Sequence, residues 1–171
     1  LFIESLEEFR IAGGNDADFD DRVLTSVERM MPLRNDFIDF IFIIFKYQET
    51  VDLDSIKEFF ERLYSFQFPP ESVNSYTDID CDNFRFLCYE LMLYFISVLF
   101  KLKKYSEASF FIYSQYYYKK PHQSELSFAS IDSFNVYVKS LDEYRNSRLE
   151  LRRVSFTADL VKERSFRTDL T

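Results

Sequence analysis

The stretch "YFISVLFKLKKYSEASFFIYSQYYYKK" (residues 94–120) decides the fold. It reads as a membrane anchor with a basic flank, as an aromatic surface for a ligand, or as two packed helices joined by a turn. The apolar run "LMLYFISVLF" is ten residues long and follows Glu90, whereas a membrane span needs about twenty apolar residues. Two packed helices are therefore expected. Lys101, Lys103 and Lys104 close the first helix where cations favour a C-terminus. Tyr105 is expected to wedge the corner, and small Ala108 to let the backbones approach. In "FFIYSQYYYKK", helical spacing divides Phe110, Phe111, Tyr113, Tyr117 and Tyr118 between a core face and its margin, where a tyrosine hydroxyl stays wet. Tyr113, Tyr116 and Tyr117 are the candidate partner-binding residues. A base-stacking surface with Lys119 and Lys120 on phosphates is the competing reading.

Outward from this stretch the helical pattern repeats. Upstream, "DNFRFLCYELMLYFISVLF" brings Phe84, Leu87, Cys88, Leu91, Phe95, Val98 and Leu99 inward over a helix from about Asp82 to Leu102. "VDLDSIKEFFERLYSF" aligns Leu53, Ile56, Phe59, Phe60 and Leu63, with acids in its first turn as the helix dipole prefers. "FIDFIFIIF" is apolar nearly all round and predicts a central, buried helix. Pro32 starts that helix or kinks the one before it, which carries Val23, Leu24, Val27, Met30 and Met31. "LFIESLEEFRI" places Leu1, Phe2, Leu6 and Phe9 on one face of a short helix, and residues 12–19 read as a linker. Downstream, residues 130–168 form one long helix or two shorter ones. No segment alternates with period two for long enough to build a sheet. The expected fold is all-α: an irregular bundle of six to eight helices with antiparallel hairpins, in one domain over residues 1–171.

Composition excludes several chemistries. A chain of 171 residues with 47% hydrophobic and 19% aromatic content can bury roughly 70% of its unfolded surface. Its only glycines are Gly13 and Gly14. Phosphate-cradling loops, dinucleotide fingerprints and nucleophile elbows rely on glycine for φ > 0, so their usual forms are unavailable beyond residue 14. The two cysteines, Cys81 and Cys88, form neither a C-x-x-C pair nor a disulfide framework, which fits a reducing, cytoplasmic setting. The first methionine is Met30 and no signal peptide opens the chain, so the sequence reads as a domain cut from a larger protein.

Net charge is −8, unevenly placed: residues 1–90 carry 20 acids and 8 bases, residues 91–171 carry 9 and 13. Attraction between the halves is the simplest use of that asymmetry, and a partner reading the basic half is the sharper one. Overall acidity argues against non-specific nucleic-acid binding. Arg145, Arg148 and Arg152 lie at i, i+3 and i+7, a spacing that presents several guanidinium forks to a nucleotide, a nucleic acid or another anion. They are the candidate ligand-binding residues. The plainer reading is a solvated face on which Arg145, Arg148, Arg152 and Arg164 interleave with Asp142, Glu143, Glu150 and Glu163.

No catalytic or metal constellation emerges. Asp78, Asp80 and Asp82 begin a D-x-D-x-D calcium pattern, but Asn83 and Tyr89 stand where glycine and glutamate belong. Capping of the next helix by Asp80 or Asp82 is expected instead. His122 is the single histidine, too few for a multi-histidine metal site. The arginine nearest before it is Arg85, too distant for the R-x(4–6)-H motif of helical ribonucleases.

Two resemblances complete the reading. Tyr105 and Ala108, with Pro121 closing, resemble the second helix of a tetratricopeptide repeat, although Ile96 replaces the first-helix glycine and no copy recurs 34 residues away. "DNFRFLCYELMLYFISVLFKLKKYSEASFFI" with "SLDEYRNSRLELRRVSFTADLVKERS" resembles, over residues 20–166, a helical region of large multidomain bacterial proteins of the anti-phage defence type. That resemblance implies a sensor or scaffold region beside a separate effector domain and carries over no active-site residue. The abundant aromatics and missing catalytic loops separately lead to the expectation of a protein partner or self-association, with no catalytic residue and no cofactor in this region.

Overall fold

The computed structural model describes residues 2–12, 17–73 and 75–165. A short turn of helix, α1 (Phe2–Ser5), runs into a 3-10 turn at Leu6–Phe9, and both Leu6 and Phe9 are buried. Leu1 and residues 13–16 of the expected linker lie outside the described residues; Phe19, its last residue, already opens α2 (Phe19–Arg29) and is buried. Pro32 does start a helix. It occupies the first turn of α3 (Met31–Tyr47), where a missing N–H costs nothing.

Burial on α3 differs from the expectation. Phe37, Ile38, Ile41, Ile44 and Phe45 are buried, but Phe40, Ile43 and Tyr47 form an exposed stripe at i, i+3 and i+7. The central position belongs to α5 (Asp82–Lys101), which packs against α2, α3, α4 (Leu53–Ser65) and α6 (Tyr105–Tyr113). Helix α4 begins at Asp52, whose carboxylate accepts the Ser55 N–H at 3.1 Å. Its Phe60 meets Phe95 of α5 at 5.0 Å between centroids, and Phe95 meets Phe111 of α6 edge-on at 4.6 Å. Truncating rings in such a cluster costs about 3–5 kcal/mol each.

The turn between α5 and α6 has no glycine, yet it uses the left-handed cap glycine usually provides. Lys103 has φ 59°, its N–H reaches Phe100 O at 3.0 Å, and the Lys104 N–H reaches Leu99 O at 2.8 Å. This is the Schellman pattern, which satisfies the last helical carbonyls. Ala108 is buried as expected, but Tyr105 is exposed and leans on Phe100 at 6.0 Å rather than wedging the corner.

The chain is mainly helical, as expected, with one short two-stranded sheet that the expectation did not include. β1 (Tyr116–Lys119) pairs antiparallel with β2 (Leu126–Ala129) in the register Tyr116↔Ala129, Tyr117↔Phe128, Tyr118↔Ser127, Lys119↔Leu126. Alternation explains the strand: Tyr116 and Tyr118 turn toward Tyr64 and Phe134, while Tyr117 and Lys119 face solvent. Tyr116 is therefore 0% exposed, and its hydroxyl donates to Phe111 O at 2.7 Å. Between the strands, Pro121 and His122 (φ 61°) make a turn closed by Gln123 N–H to Lys120 O at 3.2 Å. Proline followed by a left-handed residue is the type II arrangement.

Residues 130–165 hold two shorter helical stretches rather than one long helix, and the first is irregular. A 3-10 turn at Ile131–Phe134 precedes a π-helical segment, Ser140–Arg145, which runs into α7 (Asn146–Arg148). A second Schellman cap then stops the helix: Glu150 has φ 50°, its N–H reaches Ser147 O, and the Leu151 N–H reaches Asn146 O. The Asn146 side chain bridges to both backbone groups of Arg153. Helix α8 (Phe156–Ser165) restarts under two caps, Ser155 Oγ on the Ala158 N–H at 3.1 Å and Asp142 Oδ1 on the Thr157 N–H at 2.9 Å.

Candidate functional site

Three groups of side chains stand out: a buried charge network, a surface clasp between acids and arginines, and an exposed aromatic face. The network centres on Glu90, whose carboxylate lies fully buried in the middle of α5. Arg164 of α8 grips it with two parallel bonds, Nε to Oε1 at 2.7 Å and Nη2 to Oε2 at 2.9 Å. Arg34 of α3 adds Nη1 to Oε1 at 3.4 Å and also reaches Tyr94 Oη and Arg164 O. Arg164 further contacts Val27 O and Glu28 of α2. One carboxylate thus ties α3, α5 and α8 together, with α2 held through Arg164. Burial works against the charge on Arg164, but its bonds to Glu90 outweigh this and hold the guanidinium above its ordinary range. Burial dominates at Arg34 and pulls it lower.

The clasp contains two of the three candidate ligand-binding arginines. Arg145 and Arg148 converge on Asp20 and Asp21 at the start of α2. Arg148 makes Nε to Asp20 Oδ1 at 3.1 Å, and its Nη2 reaches Asp20 Oδ2 and Asp21 Oδ2, each at 2.7 Å. Arg145 bonds Asp20 at 3.2 Å and also pairs with Asp21. The bond from Arg145 holds the Asp21 carboxyl below the usual carboxylate range, and the bond to Asp20 holds Arg148 above its own. Here the acidic and basic halves of the chain meet directly. Arg152 does not complete the stripe. The helix stops at Arg148, and Arg152 (φ 55°) lines an open cleft of about 550 Å³ with Asp142, Glu143 and Glu150.

The aspartates of the calcium-like pattern diverge. Asp80 turns back to the Thr77 N–H at 2.9 Å, Asp78 pairs with Arg85 at 3.2 Å, and Asp82 accepts the Ser140 N–H at 2.7 Å. The expected cap is only half present: Asp82 supplies first-turn negative charge, but Cys81 is the N-cap of α5 and no side chain bonds there. Asp82 is instead buried against the π-helical segment, and desolvation raises its pKa. His122 Nε2 lies 3.4 Å from Val73 O in the exposed hairpin turn. Cys81 and Cys88 are buried, unpaired thiols, which burial pushes up to about 11 and about 12. Among the described residues no three of His, Cys, Asp and Glu gather as a metal site requires.

The candidate partner-binding tyrosines separate. Tyr113, at the end of α6, is 84% exposed and Tyr117 is 47% exposed, while Tyr116 belongs to the core. Residues that the sequence reading did not single out join them: Leu126 (71%) and Phe128 (64%) of β2. Phe128 stands directly across from Tyr117. Period-two alternation over only four residues was the one signal that could have found them.

Helix α5 also corrects the argument from length. It runs 20 residues, its most apolar stretch has a mean hydropathy of 1.4, and by length and composition it could cross a membrane. What marks it as a core helix is that 67% of that stretch is buried within the protein. No family model matches the chain, and none of the curated proteins or solved structures compared with it matches either.

Proposed function

We propose that this chain is a non-catalytic interaction domain, a scaffold or sensor within a larger bacterial protein of the cytoplasm. One observation carries the reading: Tyr113, Tyr117, Leu126 and Phe128, on the consecutive elements α6, β1 and β2, present large apolar side chains to solvent. Exposed aromatic groups of this kind are characteristic of surfaces that bury against a partner. Beside these side chains, Lys57 sits over the Tyr117 ring at 5.2 Å and Lys119 pairs with Glu71 at 3.0 Å. An anion sensor built on Arg145, Arg148 and Arg152 would first have to displace Asp20 and Asp21 from two of its three arginines.

The test places a photo-crosslinking benzophenone side chain at Tyr113 and irradiates the protein in its bacterial host. A discrete crosslinked species is expected, lost when Tyr117→Ser and Phe128→Ser are added while the melting temperature holds. Absence of a discrete species, or one indifferent to those substitutions, refutes the reading.

A further inference from the structure

The hairpin's backbone states what kind of partner it fits. The Tyr117 N–H donates to Glu61 Oε1 of α4 at 2.9 Å, so it points away from β2. Tyr117 and Phe128 are therefore a non-hydrogen-bonded pair, in which each residue's N–H and C=O face outward from the hairpin. The same parity holds two residues along, at Lys119 and Leu126. Phe128 and Leu126 thus direct two N–H and two C=O groups along the outer edge of β2. Among the described residues, the elements packed most closely against β2 are β1 and the 3-10 turn following it. Natural edge strands are commonly blunted by lysine, proline or an inward charge. Residues 124–130, "SELSFAS", contain neither lysine nor proline, and their one charge, Glu125, is exposed and precedes the strand.

We infer that a second copy of this chain occupies the edge, its β2 antiparallel to the first about a twofold axis at Ser127. This rests on reading the hairpin face as an interaction surface and names its partner. The strand is self-complementary in that register. Each Leu126 lies opposite Phe128 of the other copy as a hydrogen-bonded pair, giving four N–H···O=C bonds. Glu125 falls opposite Ala129 and Ser124 opposite Ser130, so no like charges meet. The two Glu125 residues stand four residues apart along the seam, about 14 Å, beyond the ~8 Å over which charges act at physiological salt. On the outer face, the Tyr117–Phe128 row of one copy continues into Leu126 of the other. The result is a four-stranded sheet in the order β1–β2–β2–β1.

A seam this short falls below the area of standard interfaces, so association is measured over about 10 µM to 1 mM. Sedimentation velocity on the 171-residue chain should show mass rising from monomer toward dimer. Leu126→Pro removes an outward N–H without touching the intramolecular ladder, and Phe128→Lys puts a charge on the seam. Each should keep the fold by circular dichroism and weaken dimerisation at least tenfold; should the proline variant fail to fold, Phe128→Lys alone decides. The register has its own readout. Ser127→Cys brings two thiols to a Cα separation of about 4.5 Å, within disulfide range, so mild oxidation should crosslink it far faster than Ser109→Cys on α6. Buried Cys81 and Cys88 stay out of that reaction. A chain monomeric throughout, a dimer unchanged in Phe128→Lys, or equal crosslinking of the two cysteine variants overturns the inference. None of these results affects the Tyr113 crosslinking test, which a different protein partner would still satisfy.

Discussion

Replacing Glu90 with glutamine removes the only buried carboxylate between two fully buried guanidinium groups. The side chain keeps its shape, and its amide oxygen still accepts one bond. What is lost is the bidentate, charge-assisted grip of Arg164 at 2.7 and 2.9 Å and the contact of Arg34 at 3.4 Å. Among the described residues, Glu28, partly exposed, is then the acid still paired with Arg164. Breaking a buried pair from one side costs about 3–5 kcal/mol, because a desolvated charge is left uncompensated. For a chain of this size that corresponds to a fall of about 6–20 °C in melting temperature. Helix α8 should loosen first, since Arg164 is its anchor; trypsin should cut Glu90→Gln at Lys162 and Arg164 before any global unfolding. Replacing the whole network, with Arg34→Met, Glu90→Leu and Arg164→Met together, should recover stability to within about 1 kcal/mol of the parent, since desolvation of the charges is then no longer required. Urea unfolding followed at 222 nm measures all three proteins. A Glu90→Gln variant within about 1 kcal/mol of the parent, or a triple variant as weak as the single one, refutes the reasoning.

The clasp should titrate. Asp21 has a folded-state pKa below its ordinary 3.8, so its contribution is present above that pH and lost as pH falls through the lowered value. Asp21→Asn should be less stable than the parent at pH 7, and the gap should close on acidification, as thermal melts at stepped pH would show. Lys103→Gly should gain about 0.5–1 kcal/mol, because a left-handed conformation strains a residue with a Cβ; a loss in chemical denaturation would contradict the assigned cap. Cys81 and Cys88, raised to about 11 and about 12, should ignore a thiol reagent at pH 8 in the native chain and react fully in denaturant.

Much of the helical framework was legible because it rests on side-chain periodicity. Ile56, Phe60 and Leu63 on α4 and Leu91, Phe95 and Val98 on α5 take the positions their spacing predicts. The errors have physical causes. Tyr116–Lys119 is too short for alternation to stand out, and its aromatics suit a helical margin equally well until Tyr64 and Phe134 select the strand. Left-handed caps at Lys103 and Glu150 broke helices where glycine was the expected marker. The α3 stripe was assigned to the core because composition shows how apolar a helix is, not how many neighbours cover it. Arg164 looked like a solvated charge beside Glu163. Its partner Glu90 entered only as the charge that precedes an apolar run, not as a group in need of a counter-ion. Pairing it with a residue 74 positions away required the tertiary fold.

That separation matters while the chain is being made. A ribosome adds about 5–20 residues per second, so on the order of 4–15 s pass between synthesis of Glu90 and of Arg164, 74 residues later. Throughout that interval the carboxylate has Arg34, made 56 residues earlier, but not the two-pronged grip of Arg164 from α8. The buried network can therefore close completely only once α8 has been made, and until then Arg34 is the one guanidinium of the pair available to Glu90.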